Sequence, residues 1–448
     1  MSFLLILGSG APAVSGARLE RLVQGELQSV STGGAWLGWD ATGRTDAKGW
    51  SFGPPCAGGE VAQGAARLLV EGDRWRCERD ALAALPLWRA AGPGWTAWSP
   101  QAKWFAAVEG VSLELLPEAR LFAPRSGPES FSPFQHLERE PAWTAAFLGA
   151  AGTRIEQRAT SPEVAKATLG EADLAGELAS AVDAAVAAIP VHERWTSLLS
   201  GGLDSGIATS RLRERSRGNP VALSAESALA SERSAAQATA GELGVELRGV
   251  HLDSARLRAS FEHVVWHNEV FDGLTAEILA QVDAILALAP QPTGPWQPVL
   301  TGYGADLLLG GMLAHAAYMQ AVGAQSEADL LTRTRWTGEV APFFAWRRGF
   351  ALHHFYWHPE LWRACLRIPL ELNARGHADK AVLRRLAVDR GWLSASRAAA
   401  PKRAITDGLR AQDLLSAALG LGSGYQFEAK GRAAAEHWRR RLAAVEAN

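Results

Sequence analysis

The chain has 448 residues, of which 48% are hydrophobic and 21% charged, and a formal net charge of −2. That is long enough for two or three domains of ordinary size, each with its own core. Near-neutrality leaves no electrostatic footprint for nucleic acid or an anionic membrane surface.

The three cysteines, Cys56, Cys77 and Cys365, are odd in number and far apart. Without a CxxC pair or a Cys/His spacing suited to zinc, neither a disulfide framework nor a structural metal is expected. The first apolar run, Met1–Gly8, is too short for a signal peptide and lacks a basic start, so it reads as a core strand. No apolar run is long enough to span a bilayer, and a cytoplasmic protein is expected. Arg439, Arg440 and Arg441 form the densest basic cluster and read as a solvated helix face.

Residues 1 to about 120 carry short apolar runs broken by Gly and Pro, the rhythm of an antiparallel β-rich domain. Arg67–Val70, Trp75–Cys77 and Trp104–Val108 are candidate strands. From Ala123 to Pro141 the chain is rich in Pro, Ser and charge and reads as a connecting segment. A helix is expected from Leu174 to Ile189, ended by Pro190.

Beyond Pro190 strands and helices alternate. A strand runs into Leu198-Leu-Ser-Gly-Gly-Leu-Asp-Ser205, and a helix follows from Ser205 to about Arg215. Strands are expected at Val221–Ser224, Val245–Leu252 and Pro298–Thr301. Helices are expected at Glu232–Leu243, Arg256–Trp266 and Thr275–Ala287. This alternation implies βαβ units and a parallel sheet, with ligands at the strand C-termini. From about Met312 onward the chain reads as mostly helical.

Two stretches carry chemistry. The first is Ser200-Gly-Gly-Leu-Asp-Ser205, where glycines let the backbone approach a bulky anion and the following helix offers unsatisfied N–H groups. SGG alone would suit any strand–turn–helix corner; the full string resembles the PP-loop of ATP pyrophosphatases. The second is Thr301-Gly-Tyr-Gly-Ala-Asp306, again glycines at the end of an apolar strand. Asp204 and Asp306 together could hold Mg²⁺, which is commonly bound by one or two carboxylates plus substrate phosphates.

In this order and at this separation the two motifs resemble the synthetase domain of asparagine synthetases, and most of all the branch of β-lactam and carbapenam synthetases. Asparagine synthetases usually carry an acidic residue where this chain has Tyr303. The resemblance implies an α/β synthetase domain over residues 160–448, with a parallel sheet, a PP-loop and a helical C-terminal part. A shortened, β-rich, degenerate Ntn-glutaminase-like domain would precede it over residues 1–140. Glu71–Asp80, Pro86–Trp88 and Ser99–Lys103 carry the resemblance to a glutaminase-type domain. Residue 2 is Ser where glutamine-using members have a nucleophilic Cys, so this domain is expected to be a structural remnant.

The resemblance also implies the site. ATP would lie against Leu198, Ser200, Gly201, Gly202, Asp204 and Ser205, with Gly302 and Lys380. Lys380, in Gly376–Arg384, would contact the phosphates that leave as pyrophosphate. Mg²⁺ would sit on Asp204 and Asp306. Tyr303, paired with Glu339 in Thr337–Pro342, would take a proton from the substrate amine. Lys402, in Ala400–Arg403, would stabilise the second step, although Ala400 replaces the Arg usual in that motif. Val265–Gly273 resembles the branch's acidic loop before a substrate-facing helix, and Ile278 stands where an aromatic is expected.

The expected reaction is adenylation of a substrate carboxylate, release of pyrophosphate and closure of a lactam by the substrate's own amine, in natural-product biosynthesis. A macrolactam-forming peptide cyclase and an asparagine synthetase-like ligase fed by free ammonia stay open as alternatives. A non-catalytic nucleotide-binding protein is disfavoured by the retention of Asp204, Asp306, Lys380 and Lys402. The expected partner is a small amino-acid substrate more than a peptide, with no nucleic acid or membrane; a homodimer is compatible with the sequence.

Overall fold

Five consecutive apolar residues, Phe3-Leu-Leu-Ile-Leu7, are all buried, which requires a strand covered on both faces. It pairs antiparallel with Ala35–Asp40 on one side and Trp95–Ser99 on the other. Leu27–Thr32 extends one flank; Trp88–Gly92 and then Glu138–Arg139 extend the other, giving six strands. These observations come from a computed structural model that describes residues 2–8, 10–23, 27–32, 34–40, 44–46, 49–52, 65–71, 74–80, 84–118, 132–140, 144–149, 152–157, 169–290, 292, 296–309, 338–373, 379–400 and 409–447.

Side chains alternate along a strand, and here the alternation divides two cores. Phe3, Leu5 and Leu7 face a second six-stranded antiparallel sheet and meet its Phe52, Leu68, Trp75 and Cys77. Leu4 and Ile6 point the other way, toward Leu19, Leu22 and Val23 of the helix Gly16–Val23. The second sheet runs, from one edge, Gly152–Gln157, Thr144–Gly149, Arg74–Arg79, Ala66–Glu71, Gly49–Phe52, Arg44–Asp46. Its hairpin over 144–157 lies between the spans 1–140 and 160–448 expected for the two domains.

The antiparallel strands expected in the first half are present, with one correction. Ala102–Ala107 is a 3₁₀ helix, not the strand expected at Trp104–Val108. All six of its residues are buried, so the segment has no polar face to set a period of two. Its first N–H groups are satisfied by a distant carboxylate: those of Ala102 and Lys103 donate to Glu269 at 2.7 and 2.6 Å.

The second half is built on a five-stranded parallel sheet. Thr196–Leu198 lies at its centre, with Val221–Ser227 and then Glu246–Leu252 to one side. Gln297–Thr301 and then Phe350–His354 lie to the other. In chain order the strands therefore lie 3-2-1-4-5. This doubly wound arrangement opens a crevice where the order reverses, between the C-terminal ends of Thr196–Leu198 and Gln297–Thr301.

The helices that cover the sheet start and stop on readable signals. Asp253 and Asp272 cap Ser254–Asn268 and Gly273–Leu288, each accepting an N–H three residues on at 2.8 Å. Gly244, at φ 63, ends Arg233–Leu243 in the left-handed conformation that glycine adopts without strain. Helices prevail after residue 338 as expected, at Pro359–Arg367, Ala381–Asp389, Ala411–Ala418 and Phe427–Ala447. The strand Phe350–His354 is a departure: its two histidines interrupt the apolar run that would have announced it.

The two halves share a core. Phe134 meets Phe271 and Trp438 at ring-centroid distances of 5.9 and 5.5 Å. Among the described residues, no helix is long and apolar enough to cross a membrane.

Candidate active site

The crevice is lined by two loops whose backbones touch. After Thr196–Leu198 the chain turns through Ser200, Gly201 and Gly202 into the helix Leu203–Leu212, which starts two residues before Ser205. Gly201 has φ +79, and a Cβ there would lie 2.4 Å from the carbonyl carbon of Ala235. No other residue fits both constraints. The second loop follows Gln297–Thr301. A Cβ on Gly302 would lie 2.6 Å from the amide nitrogen of Ser205 and 2.8 Å from the carbonyl carbon of Asp204. That glycine lets the second strand end reach the start of the first helix.

No side chain caps this helix at Gly202. Its first turn therefore presents backbone N–H groups and the positive end of the helix dipole. The hydroxyl of Ser205 turns back to accept the N–H of Ser200 at 3.3 Å and lies 3.1 Å from the Ser200 hydroxyl. Glycine turn, open helix end and paired hydroxyls form a cradle for an anion, with Leu198 half-buried at its strand end.

Beside the cradle stand the charges. Asp204 lies in the first turn of its helix, and Asp306 opens the short helix Ala305–Leu309. Between them, Lys380 donates to Asp204 Oδ2 and to Asp306 Oδ1, each at 2.5 Å. Lys380 is 1% exposed. Burial alone would lower its pKa, but the two carboxylates overcome burial and hold it above the ordinary lysine range. The ammonium is thus charged throughout the physiological range. Two hard oxygen donors beside a phosphate cradle are a donor set that fits Mg²⁺.

Tyr303 is half-buried between the loops, its ring 5.2 Å from that of His354 and 6.2 Å from that of Trp357. Its backbone N–H donates to the Thr301 hydroxyl at 3.3 Å, and that oxygen lies 2.8 Å from His354 Nδ1. Burial pushes His354 down to about 3 and His353 down to about 4, so both are neutral at pH 7. With the imidazole neutral, the Thr301 hydroxyl can donate to Nδ1 while accepting from Tyr303.

Glu339 sits half-buried in the turn 338–340. The turn is tied to the end of Ser254–Asn268: the Asn268 amide donates to Ala341 O at 2.6 Å and accepts from Phe344 N–H at 2.9 Å. Lys402 lies outside the described residues. Ile278 is half-buried on Gly273–Leu288. The acidic residues of the loop before that helix are spent on structure: Glu269 on the 3₁₀ helix, Asp272 as a cap.

Sequence reasoning missed Tyr356. It is fully buried, and its hydroxyl has no hydrogen-bond partner among the described residues. Burial and the charges of Asp204 and Asp306 raise its phenol well above the ordinary value. Gly304, with φ +104, packs over it: a Cβ there would lie 3.4 Å from that of Tyr356. Phe355, Tyr356 and Trp357 are all buried.

Residues 177–355 match the family model for asparagine synthase. Both loops fall within that span. Over 327 residues the chain is 26% identical to the carboxyethyl-arginine beta-lactam-synthase of Streptomyces clavuligerus, covering 72% of this chain and 61% of that one. The chain thus spans less than two thirds of the length of this curated relative. Among solved structures, it is similar to an NMN synthetase from Francisella tularensis at TM-score 0.27 and 14% identity, over 61% of this chain and 96% of that one. A glutamine phosphoribosylpyrophosphate amidotransferase from B. subtilis, complexed with ADP and GMP, scores 0.24 at 9% identity, over 77% and 96%. Scores this low carry no weight for the fold or the site.

Proposed function

We propose that this chain, which belongs to the asparagine synthetase superfamily on its β-lactam-synthetase-like side, is an ATP-dependent ligase that closes an amide ring within one substrate. The observation that carries the reading is the cluster of Asp204, Asp306 and Lys380 at the switch point of the sheet, beside an open helix end. A divalent metal held by Asp204 and Asp306 would supply charge neutralisation at the departing phosphates.

The chain's own residues supply the rest. The Ser200–Ser205 cradle orients the pyrophosphate end of ATP, and Lys380 offsets its charge. A substrate carboxylate attacks the α-phosphate; pyrophosphate leaves and an acyl-adenylate results. An amine of the same substrate then attacks the adenylate carbonyl and AMP departs. An alkylammonium ion in water gives up its proton only near pH 10, on the order of the lysine value, so the amine must be deprotonated first. Tyr303, with Glu339, is assigned that task. Lys402 is assigned the developing oxyanion and the leaving AMP; a well-placed donor there contributes about 3 kcal/mol. Holding both ends of one molecule in the crevice contributes on the order of 7–11 kcal/mol, enough to offset much of the strain of a small ring. Because the attacking amine is intramolecular, the N-terminal half has no ammonia to supply.

The test is direct. The protein is incubated with ATP, Mg²⁺ and a panel of β-amino acids, and pyrophosphate and product mass are recorded. Pyrophosphate release with a product lighter than the substrate by one water is the expected result. Ile278 favours a roomier substrate, so peptides belong in the same panel; cyclisation of a peptide alone would move the assignment to a macrolactam. No pyrophosphate with any substrate would overturn the ligase reading.

A further inference from the structure

The ammonium of Lys380 lies where the proposed reaction needs a divalent cation. It donates to one oxygen of Asp204 and one of Asp306, each at 2.5 Å, in a position shut off from solvent. Its backbone is fixed there. Lys380 adopts φ 53 and ψ 39, a left-handed conformation unusual for a residue with a side chain. Its carbonyl accepts the N–H of Arg384 at 2.9 Å, opening the helix Ala381–Asp389. The Arg384 guanidinium in turn holds the neighbouring Asp379 carbonyl at 2.7 Å and the Ala400 carbonyl at 3.0 Å.

Resting on the nucleotide reading above, we propose that Lys380 is the resident cation of this site, and that a divalent metal and the Lys380 ammonium exclude each other until a nucleotide arrives. A Mg²⁺ ion sits about 2.1 Å from its carboxylate oxygens. An ammonium within hydrogen-bonding distance of the same two carboxylates competes for that space. The charges give the same result. Two carboxylates and one ammonium leave one negative charge, which a doubly charged ion would overshoot beside a buried ammonium. A triphosphate removes the conflict by supplying negative charge for both cations. Lys380 then turns to the phosphates and the carboxylates pass to the metal. Metal therefore enters with the nucleotide and not before it.

The experiment follows Mn²⁺, a probe for carboxylate sites that suit magnesium, by the loss of its free electron paramagnetic resonance signal. The wild-type protein is titrated alone and with α,β-methylene-ATP, which cannot be cleaved at the scissile bond. Beyond the Mn²⁺ taken up by the analogue alone in a protein-free titration, one Mn²⁺ per chain is expected with the analogue, and affinity weaker by at least about tenfold without it. Replacing the ammonium by an isosteric neutral chain, Lys380→Met, removes the competitor. That variant should bind Mn²⁺ without nucleotide about tenfold or more tighter than wild type, with folding checked by circular dichroism. Equal Mn²⁺ affinity of the wild type with and without the analogue overturns the exclusion and leaves the nucleotide reading standing. That equality in the wild type overturns the exclusion even if Lys380→Met does not fold, while the gain in Lys380→Met is what assigns the effect to the ammonium. A folded Lys380→Met that gains no affinity also overturns it. Failure of the wild type to bind the analogue at all overturns the nucleotide reading, and the inference with it.

Discussion

At the scale of single residues, the site depends on what two side chains lack. Gly302 has no Cβ, and one would lie 2.6 Å from the Ser205 amide. Gly302→Ala must therefore push the second strand end away from the first helix, separating Asp306 from Asp204. Nucleotide affinity, read by calorimetry with α,β-methylene-ATP, should fall at least about tenfold, or about 1.4 kcal/mol. Unchanged affinity would mean that the two loops do not act as one site. Tyr356 lacks a hydrogen-bond partner, among the described residues, for a fully buried hydroxyl. An unsatisfied buried polar group costs roughly 1–3 kcal/mol, so Tyr356→Phe should leave stability unchanged or raise it by about 1 kcal/mol in urea denaturation. A loss of stability would show that the hydroxyl is satisfied in solution. Asp204 and Asp306 stand out in the sequence because each lies in a glycine-bearing turn after an apolar strand, whereas Lys380 entered only through the resemblance of Gly376–Arg384; the structure brings the three together. Tyr356 does not stand out, because nothing in Phe355-Tyr-Trp357 separates a buried phenol from any other core aromatic.

At the scale of elements, the strand that is hidden in the sequence is also the one with a pH signature. Phe350–His354 ends in two histidines that burial holds at about 4 and about 3. Unfolded, each would take up a proton near pH 6.5, roughly the ordinary histidine value. Between about pH 6.5 and 4 the unfolded state therefore binds more protons than the folded one, and stability falls as pH falls. The urea midpoint should drop from about pH 7 to about pH 5, and His354→Asn should make that drop smaller. The Asn oxygen can still accept from the Thr301 hydroxyl. An equal drop in the variant would show that His354 is charged in the fold. The same histidines explain why the strand was hidden: polar residue types are read as exposed, while here they are half-buried and uncharged. The 3₁₀ helix Ala102–Ala107 reads as a strand for the opposite reason, since a segment buried on every side has no period to read.

At the scale of the whole molecule, the halves are joined by contacts that leave no local trace in sequence. Glu269 accepts N–H groups from Ala102 and Lys103, more than 160 residues away, and its own backbone is left-handed at φ 54. Lys103 is 1% exposed and donates to Trp266 O at 2.9 Å, with its ammonium 4.0 Å from Glu269. Gln101 adds a bond to His267 O at 2.6 Å. This polar latch sits directly before the helix Gly273–Leu288, so the N-terminal half fixes one wall of the second half. Glu269→Ala removes the carboxylate, strands two buried N–H groups and leaves the Lys103 ammonium without its counter-charge. Breaking a buried pair from one side costs about 3–5 kcal/mol. The apolar contacts of Phe134 with Phe271 and Trp438 remain, so the halves should still dock, but less tightly. Differential scanning calorimetry should then show one unfolding transition for the parent, as its shared core requires, and two for Glu269→Ala, with the lower one in the N-terminal sheets. A single transition shifted by less than about 1 kcal/mol would show that the latch is ornamental and that the shared aromatic core alone holds the halves together.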